Sequence, residues 1–234
     1  MRSARTVAGV TDIEVEHPPL PRRYAKRKAI AGGLLVVLAL TGAGAVAASF
    51  FYDSVPVPHL EDFRPGYPQA AVGRMEDQVR WAFVAAVDEE FYAQRSPLHA
   101  SPITLGCVAA LTQDRSLDGD GSWRGRVMAD KLEARNSRDE VLGCYLNTAE
   151  FATGVVGVEA AAIAFTGHDA AQLTTGEAVL LAGRLAPFGA PPHSEQEAAA
   201  RKGEIVTTMV RQRWLDPSEA AQLGVMIATS DRPD

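Results

Sequence analysis

Apolar positions between Val79 and Phe91 recur at four-residue steps: Val79, Phe83, Val87 and Phe91, with Val84 alongside. That spacing puts them on one face of a helix, and the same kind of pattern continues to the end of the chain. Helix starts are marked by four capping boxes, in which a side-chain oxygen is offered to backbone N–H groups that lack an intrahelical partner. They are Ser137-x-x-Glu140, Thr174-x-x-Glu177, Ser194-x-x-Glu197 and the proline-containing variant at Asp216-Pro217-x-Glu219. Alternation with period two is nearly absent, so the pattern predicts an all-α domain.

Upstream the pattern changes. Between Lys28 and Asp53 the chain carries no charge. Residues 29–52 are 24 positions, about 36 Å as a helix, against roughly 30 Å of membrane hydrocarbon. Arg22, Arg23, Lys26, Arg27 and Lys28 precede this run, which orients the N-terminus to the cytoplasm and residues 53–234 outside. Phe50, Phe51 and Tyr52 fall at the far interface. The alternative is a cleaved signal, since Ala45-Val46-Ala47 has the small-x-small form of a cleavage site. The length of the run and of the polar segment before it favours the anchor. The expected organisation is a disordered cytoplasmic tail at 1–28, a transmembrane helix at 29–52, an irregular proline-rich linker at 53–74 and a helical domain at 75–234.

Net charge changes what partners are expected. The −6 total divides into +4 over residues 1–28 and −10 over the rest. An acidic body excludes nucleic acid, whose phosphates need clustered Lys and Arg. Apolar residues at 47% and charged residues at 22% are those of a folded domain. Cys107 and Cys144 both fall in the exported part, where oxidation is permitted, yet each lies in an apolar helical stretch. Two buried thiols and a disulfide both remain open. Asp118-Gly119-Asp120-Gly121-Ser122 lacks the later bidentate acid of a calcium loop and reads as a solvated turn. No metal or cofactor is expected.

The motifs add chemistry. Tyr145-Leu146-Asn147, Gly154, Gly157-Val158-Glu159-Ala160-Ala161-Ala162, Phe165, Gly167, Leu173-Thr174, Glu177-Ala178 and Leu180-Leu181-Ala182-Gly183 resemble, without a gap, a block of glycosyltransferase family 51. These are the peptidoglycan glycosyltransferases. Arg201, Val206, Met209 and Asp216–Ala220 fall where that family has its closing helices. The resemblance runs from about Val79 to Ala221, and no transpeptidase domain is expected before Asp234. It implies a lysozyme-like helical fold anchored by one transmembrane helix, and a lipid-linked disaccharide-peptide as substrate.

The same resemblance implies that the reaction has been lost. The family's Glu-Asp-x-x-Phe motif, whose Glu is the general base, appears as Val87-Asp88-Glu89-Glu90-Phe91. Asp88 and Phe91 match, but valine cannot accept a proton. Of the second motif Ser101, Ile103 and Thr104 survive, while its two glutamines and lysine fall on Leu105, Gly106 and Ala109. In the third, Arg124 is kept and the second carboxylate falls on Gly125, with Arg126 beside it. A Glu two residues before Tyr145 becomes Gly143. The expected remnants of substrate binding are Ser101, Thr104, Arg124, Arg126 and Asn147, with Asp88 and Asn147 also suited to structural hydrogen bonds at helix ends. Arg115 joins Arg124 and Arg126 as a cation able to attract a pyrophosphate.

The favoured reading is therefore a membrane-anchored, catalytically inactive relative that binds a lipid-linked precursor or a cell-wall synthesis protein. The alternative is a weak glycosyltransferase or glycan hydrolase using Glu89 or Glu90, with Glu90 expected one turn beyond Val87 on the same helix side. A third is an adaptor unrelated to peptidoglycan, since fold does not fix function.

Overall fold

A computed structural model describes residues 41–62, 69–93, 100–117, 122–185 and 195–224. The tail at 1–28, the first part of the expected span and Ser194 lie outside the described residues. Internal contacts divide the chain into residues 1–53 and 54–234. In the first unit, residues 41–53 are helical (α1), and positions 41–50 are all exposed. Among the described residues, no helix is long and apolar enough to cross a membrane.

The second unit is mostly helical. Its helices are α2 (Asp77–Val87), α3 (Pro102–Thr112), α4 (Trp123–Arg135), α5 (Arg138–Thr148), α6 (Val158–Thr166), α7 (Thr175–Ala182), α8 (Glu195–Arg211) and α9 (Pro217–Gln222). Three of the four capping boxes are formed as the sequence predicts: Ser137 with Glu140, Thr174 with Glu177, and Asp216 with Glu219. A further cap is Ser101, whose Oγ accepts the Ile103 N–H at 3.2 Å ahead of Pro102 in the first turn of α3.

Two groups of helices build the core. α2 packs on α7 and α8, while α3 packs on α4 and α5, and α6 touches both α5 and α7. The stripe predicted from the sequence is buried: Val79, Phe83, Val84, Val87 and Phe91 are all in the core. Buried apolar surface of this kind is the main stabilising contribution, at roughly 25 cal/mol per Å². Val55, Ala70 and Val72, in the stretch expected to be linker, are also buried, so these parts of it lie against the helices.

The all-α expectation needs one addition. Glu150–Ala152 (β1) and Val155–Val156 (β2) form a small antiparallel hairpin. Its turn passes through Gly154 at φ 79°, and Gly157 at φ 90° leads into α6. Both angles favour glycine, which explains why two motif glycines stand there. The strands are too short to show alternation in the sequence. Phe151 on β1 is fully buried and meets Phe83 of α2 edge-on, with ring centroids 6.3 Å apart.

α3 and α5 are also joined covalently. Cys107 and Cys144 form a disulfide, with Cα atoms 5.6 Å apart. Both sulfurs come from apolar helix faces, as the sequence indicates, but they are bonded and not free. Only the packing of α3 on α5 decides between those alternatives.

Candidate functional site

α2 ends at Val87, and Asp88 caps it in extended conformation with φ −159°. The chain then folds into a tight turn. The Asp88 side chain accepts the Glu90 N–H at 3.1 Å, its carbonyl accepts the Phe91 N–H at 3.1 Å, and the Glu90 carbonyl accepts the Ala93 N–H at 2.8 Å. Asp88 is thus a structural hydrogen-bonding residue, as expected of a short acid at a helix end. Glu89 and Glu90 are not a helical pair. The helix stops before them, so Glu90 does not lie one turn beyond Val87 on its face. Glu89 forms an ion pair with Arg211, whereas Glu90 is exposed in the turn.

This turn buries Phe91 and ties the first motif to the second. The Arg138 guanidinium lies over the Phe91 ring, 5.1 Å from its centroid. Arg138 also pairs with Glu133 at 2.8 Å, and the Thr104 hydroxyl donates to the other oxygen of Glu133. Thr104 is fully buried. A chain of contacts therefore runs from Phe91 through Arg138 and Glu133 to Thr104, linking the turn after α2 with the starts of α5 and α3 and the end of α4.

Beside it stands a second network. The Tyr92 hydroxyl donates to Asp139 at 2.7 Å, and Arg80 donates to both Asp139 and Asp77. Burial, aided by the Asp139 carboxylate, pushes the Tyr92 hydroxyl well above the ordinary phenol range. For Arg80, burial works against the charge, but Asp77 and Asp139 outweigh it and raise the pKa. These groups bolt the turn to α2 and α5.

The remaining predicted residues are placed elsewhere. Arg124 is exposed and Arg126 half-buried, both in the first turns of α4. They lie seven to nine residues before Glu133, about 10–14 Å along the helix, so they are not gathered with the Thr104 group. Gly125 between them is buried, and a Cβ there would come 2.8 Å from the Leu117 carbonyl oxygen in the 3-10 turn Arg115–Leu117. Asn147 is buried and pins the backbone of Ala70: its Oδ1 accepts the Ala70 N–H at 2.8 Å and its Nδ2 donates to the Ala70 carbonyl at 3.0 Å. Ser101 is likewise committed to its cap.

Several organising residues were not legible beforehand. Glu133, Arg138 and Asp139 meet partners 29 to 59 positions away, for which one sequence offers no signal. Only the Asp77–Arg80 pair, three apart on a helix, has a recognisable spacing. Arg201 donates to the carbonyls of Ala86, Gly183 and Leu185, closing the C-terminal ends of α2 and α7 where helix carbonyls lack partners. Among the described residues, no group of three or more His, Cys, Asp or Glu side chains could hold a metal ion.

A helical domain whose turn after α2 is tied to the start of α3, followed by a Tyr-Leu-Asn helix and a glycine-framed hairpin, defines a transglycosylase-type fold. A model of the transglycosylase family matches residues 81–211. The chain belongs to this family, glycosyltransferase family 51. It is 32% identical over 176 residues to penicillin-binding protein 2D of Bacillus subtilis, covering 70% of this chain and 25% of that protein. To penicillin-binding protein 1A of Mycobacterium tuberculosis it is 35% identical over 169 residues, covering 61% and 20%. To a biosynthetic peptidoglycan transglycosylase of Escherichia coli it is 51% identical over 102 residues, covering 40% and 39%. The chain thus spans between a fifth and two fifths of the length of these relatives.

Proposed function

We propose that the chain is a membrane-anchored member of the peptidoglycan glycosyltransferase family that no longer polymerises glycan and acts by binding in cell-wall synthesis. The family's chemistry needs a general base on the cleft wall, and loss of such a group costs typically two to four orders of magnitude in rate. The observation that carries the reading is the pair Val87 and Gly125. Both positions of the family's carboxylates hold residues without a titratable group, and both are buried.

The rest of the proposed organisation follows the sequence: a cytoplasmic tail at 1–28, a single span at 29–52, a linker at 53–74 and the family domain at 75–234 outside the cytoplasm. The exposed apolar face of residues 41–50 supports contact with lipid. The ligand class proposed for the domain is the lipid-linked peptidoglycan precursor, or a protein of cell-wall synthesis.

Use of Glu89 or Glu90 as a substitute base is not favoured. Glu89 is engaged with Arg211, and ~1 Å of misplacement of a catalytic group already costs about two orders of magnitude. The test is polymerisation of a labelled lipid-linked disaccharide by the wild-type chain and by Glu90→Gln, with retention of the label on the protein measured in parallel. No polymer is expected from either, with binding retained. Wild-type polymer that disappears in Glu90→Gln would assign the base to Glu90 and overturn the reading.

A further inference from the structure

The stretch at 53–74 has the prolines expected of a linker, yet it is fastened to the helical domain as soon as α1 ends. Helical conformation continues to residue 54, and the next residue, Val55, is only 5% exposed. Its carbonyl accepts a hydrogen bond from Nζ of Lys131 on α4 at 2.7 Å. Carbonyls at the C-terminal end of a helix lack intrahelical partners, and a lysine side chain is suited to supply one. Pro56 and Pro58 follow at once, and their rings hold φ at about −65°, which limits how freely the chain can bend as it leaves the contact.

A second fastening holds the other end of the stretch. Asn147 on α5 grips the N–H and the carbonyl of Ala70, at 2.8 and 3.0 Å. Val72 is buried over Gly143, 3.8 Å from where a Cβ on that glycine would stand. The two fastenings come from neighbouring helices, and the first decides the length of free chain. With Lys131 in place, no residue separates the end of α1 from the folded domain. Without it, the backbone grip at Ala70 would leave positions 55–69 as a tether, and a flexible chain of that length spans roughly 20 Å.

We propose that Lys131 is a positioning residue, which pins the chain at its exit from α1 and turns the expected linker into a strap of the domain. The strap keeps the domain from moving away from the end of α1. The pin itself is a property of the domain and does not depend on the loss of catalysis. Its consequence at a membrane rests on the reading of residues 29–52 as a span: the reach of the domain from the bilayer is then set by its own size and not by a tether.

The experiment has two arms, both on the full chain. In detergent micelles, hydrogen exchange is followed in the wild type, in Lys131→Met, which keeps a stem of similar length without the donor, and in Lys131→Arg, which restores a donor. Exchange at the amides of Val55, Val57 and His59 is expected to be about tenfold faster in Lys131→Met and near wild type in Lys131→Arg, with the thermal midpoint unchanged in both. Equal exchange in wild type and Lys131→Met, or an increase spread evenly over α4, would overturn the pin. In bilayer discs, a dye is placed at the exposed position Asp169→Cys, Cys107 and Cys144 being bonded to each other, and energy transfer to acceptors on the lipid headgroups is read. Transfer should fall in Lys131→Met and in a chain with a glycine-serine insertion between Ser54 and Val55, which lengthens the tether and leaves the domain untouched. Transfer in the insertion chain equal to that of the wild type would overturn the claim that the strap sets the reach. A wild-type chain that does not enter the discs would overturn the membrane reading and leave the exchange result standing.

Discussion

Gly125 and Leu117 approach so closely that a Cβ on Gly125 would stand 2.8 Å from the Leu117 carbonyl oxygen. In the interior of a helix, replacing glycine by alanine normally stabilises by up to about 1 kcal/mol. Here the sign reverses, because the obstacle is backbone and cannot swing aside like the end of a flexible side chain. Gly125→Ala is expected to destabilise by ~1–3 kcal/mol, the usual range for overpacking. Denaturant unfolding of the variant reads this directly, and a gain in stability would contradict the contact.

The same contact bears on repair of the reaction. On the proposed loss of catalysis, Val87→Glu would put back one carboxylate, but a side chain at Gly125 would have to move the turn at 115–117. Neither Val87→Glu nor the Val87→Glu, Gly125→Glu double variant is expected to polymerise lipid-linked disaccharide measurably. Catalytic groups act as a unit, so partial restoration recovers little. Strong activity in Val87→Glu alone would mean that the rest of the cleft is intact.

Asn147 offers a test of a motif residue turned structural. Asn147→Leu leaves the N–H and C=O of Ala70 without their side-chain partners in a buried setting. Each such group costs about 1–3 kcal/mol, so a loss of roughly 2–6 kcal/mol is expected. Asn147→Asp keeps the acceptor but sets a buried carboxylate oxygen against the Ala70 carbonyl, so it should destabilise at least as much. Equal stability of all three chains would show that the two hydrogen bonds contribute nothing.

The disulfide closes a loop between positions 37 apart. In the chain-entropy account a loop of this length is worth about 4 kcal/mol. Replacing both cysteines by alanine should lower stability by ~3–4 kcal/mol, measured under non-reducing conditions. An unchanged unfolding midpoint would mean that α3 and α5 hold together without it.

Acid should loosen two helix starts. The carboxyl of Glu140 is held below its ordinary value chiefly by the Ser137 backbone N–H, then by the Ser137 hydroxyl. That of Glu177 is lowered in the same way by Thr174, with a small contribution from His168. A carboxyl depressed in the folded state contributes stability above its unfolded pKa, near 4.3, and loses it as pH falls through the folded value. Thermal midpoints of the wild type should therefore drop between about pH 5 and pH 3 more steeply than those of Glu140→Gln with Glu177→Gln, which cannot titrate. Parallel profiles would remove the two caps from the acid response.

For topology, a reporter fused after Asp234 that works only outside the cytoplasm should be active. Release of a shortened soluble chain cut near Ala47 would instead establish cleavage of a signal.

Local rules determined much of this protein from sequence alone. The apolar stripe from Val79 to Phe91, three of the capping boxes and the Tyr145–Gly183 block could be read because helix periodicity and caps act over three or four residues. That position 87 carries valine, a side chain with no titratable group, was legible because it is a matter of residue type. What only the tertiary structure decided depends on distant parts of the chain meeting. The bonding of Cys107 to Cys144 required α3 to lie on α5. The steric closure at Gly125 required a turn eight residues earlier to fold back over α4, and the anchoring of Phe91 through Arg138 and Glu133 to Thr104 required three helices. Helix α2 stops at Val87 because the turn that follows makes its own hydrogen bonds through Asp88, a local competition that apolar spacing does not register, since Phe91 is buried either way.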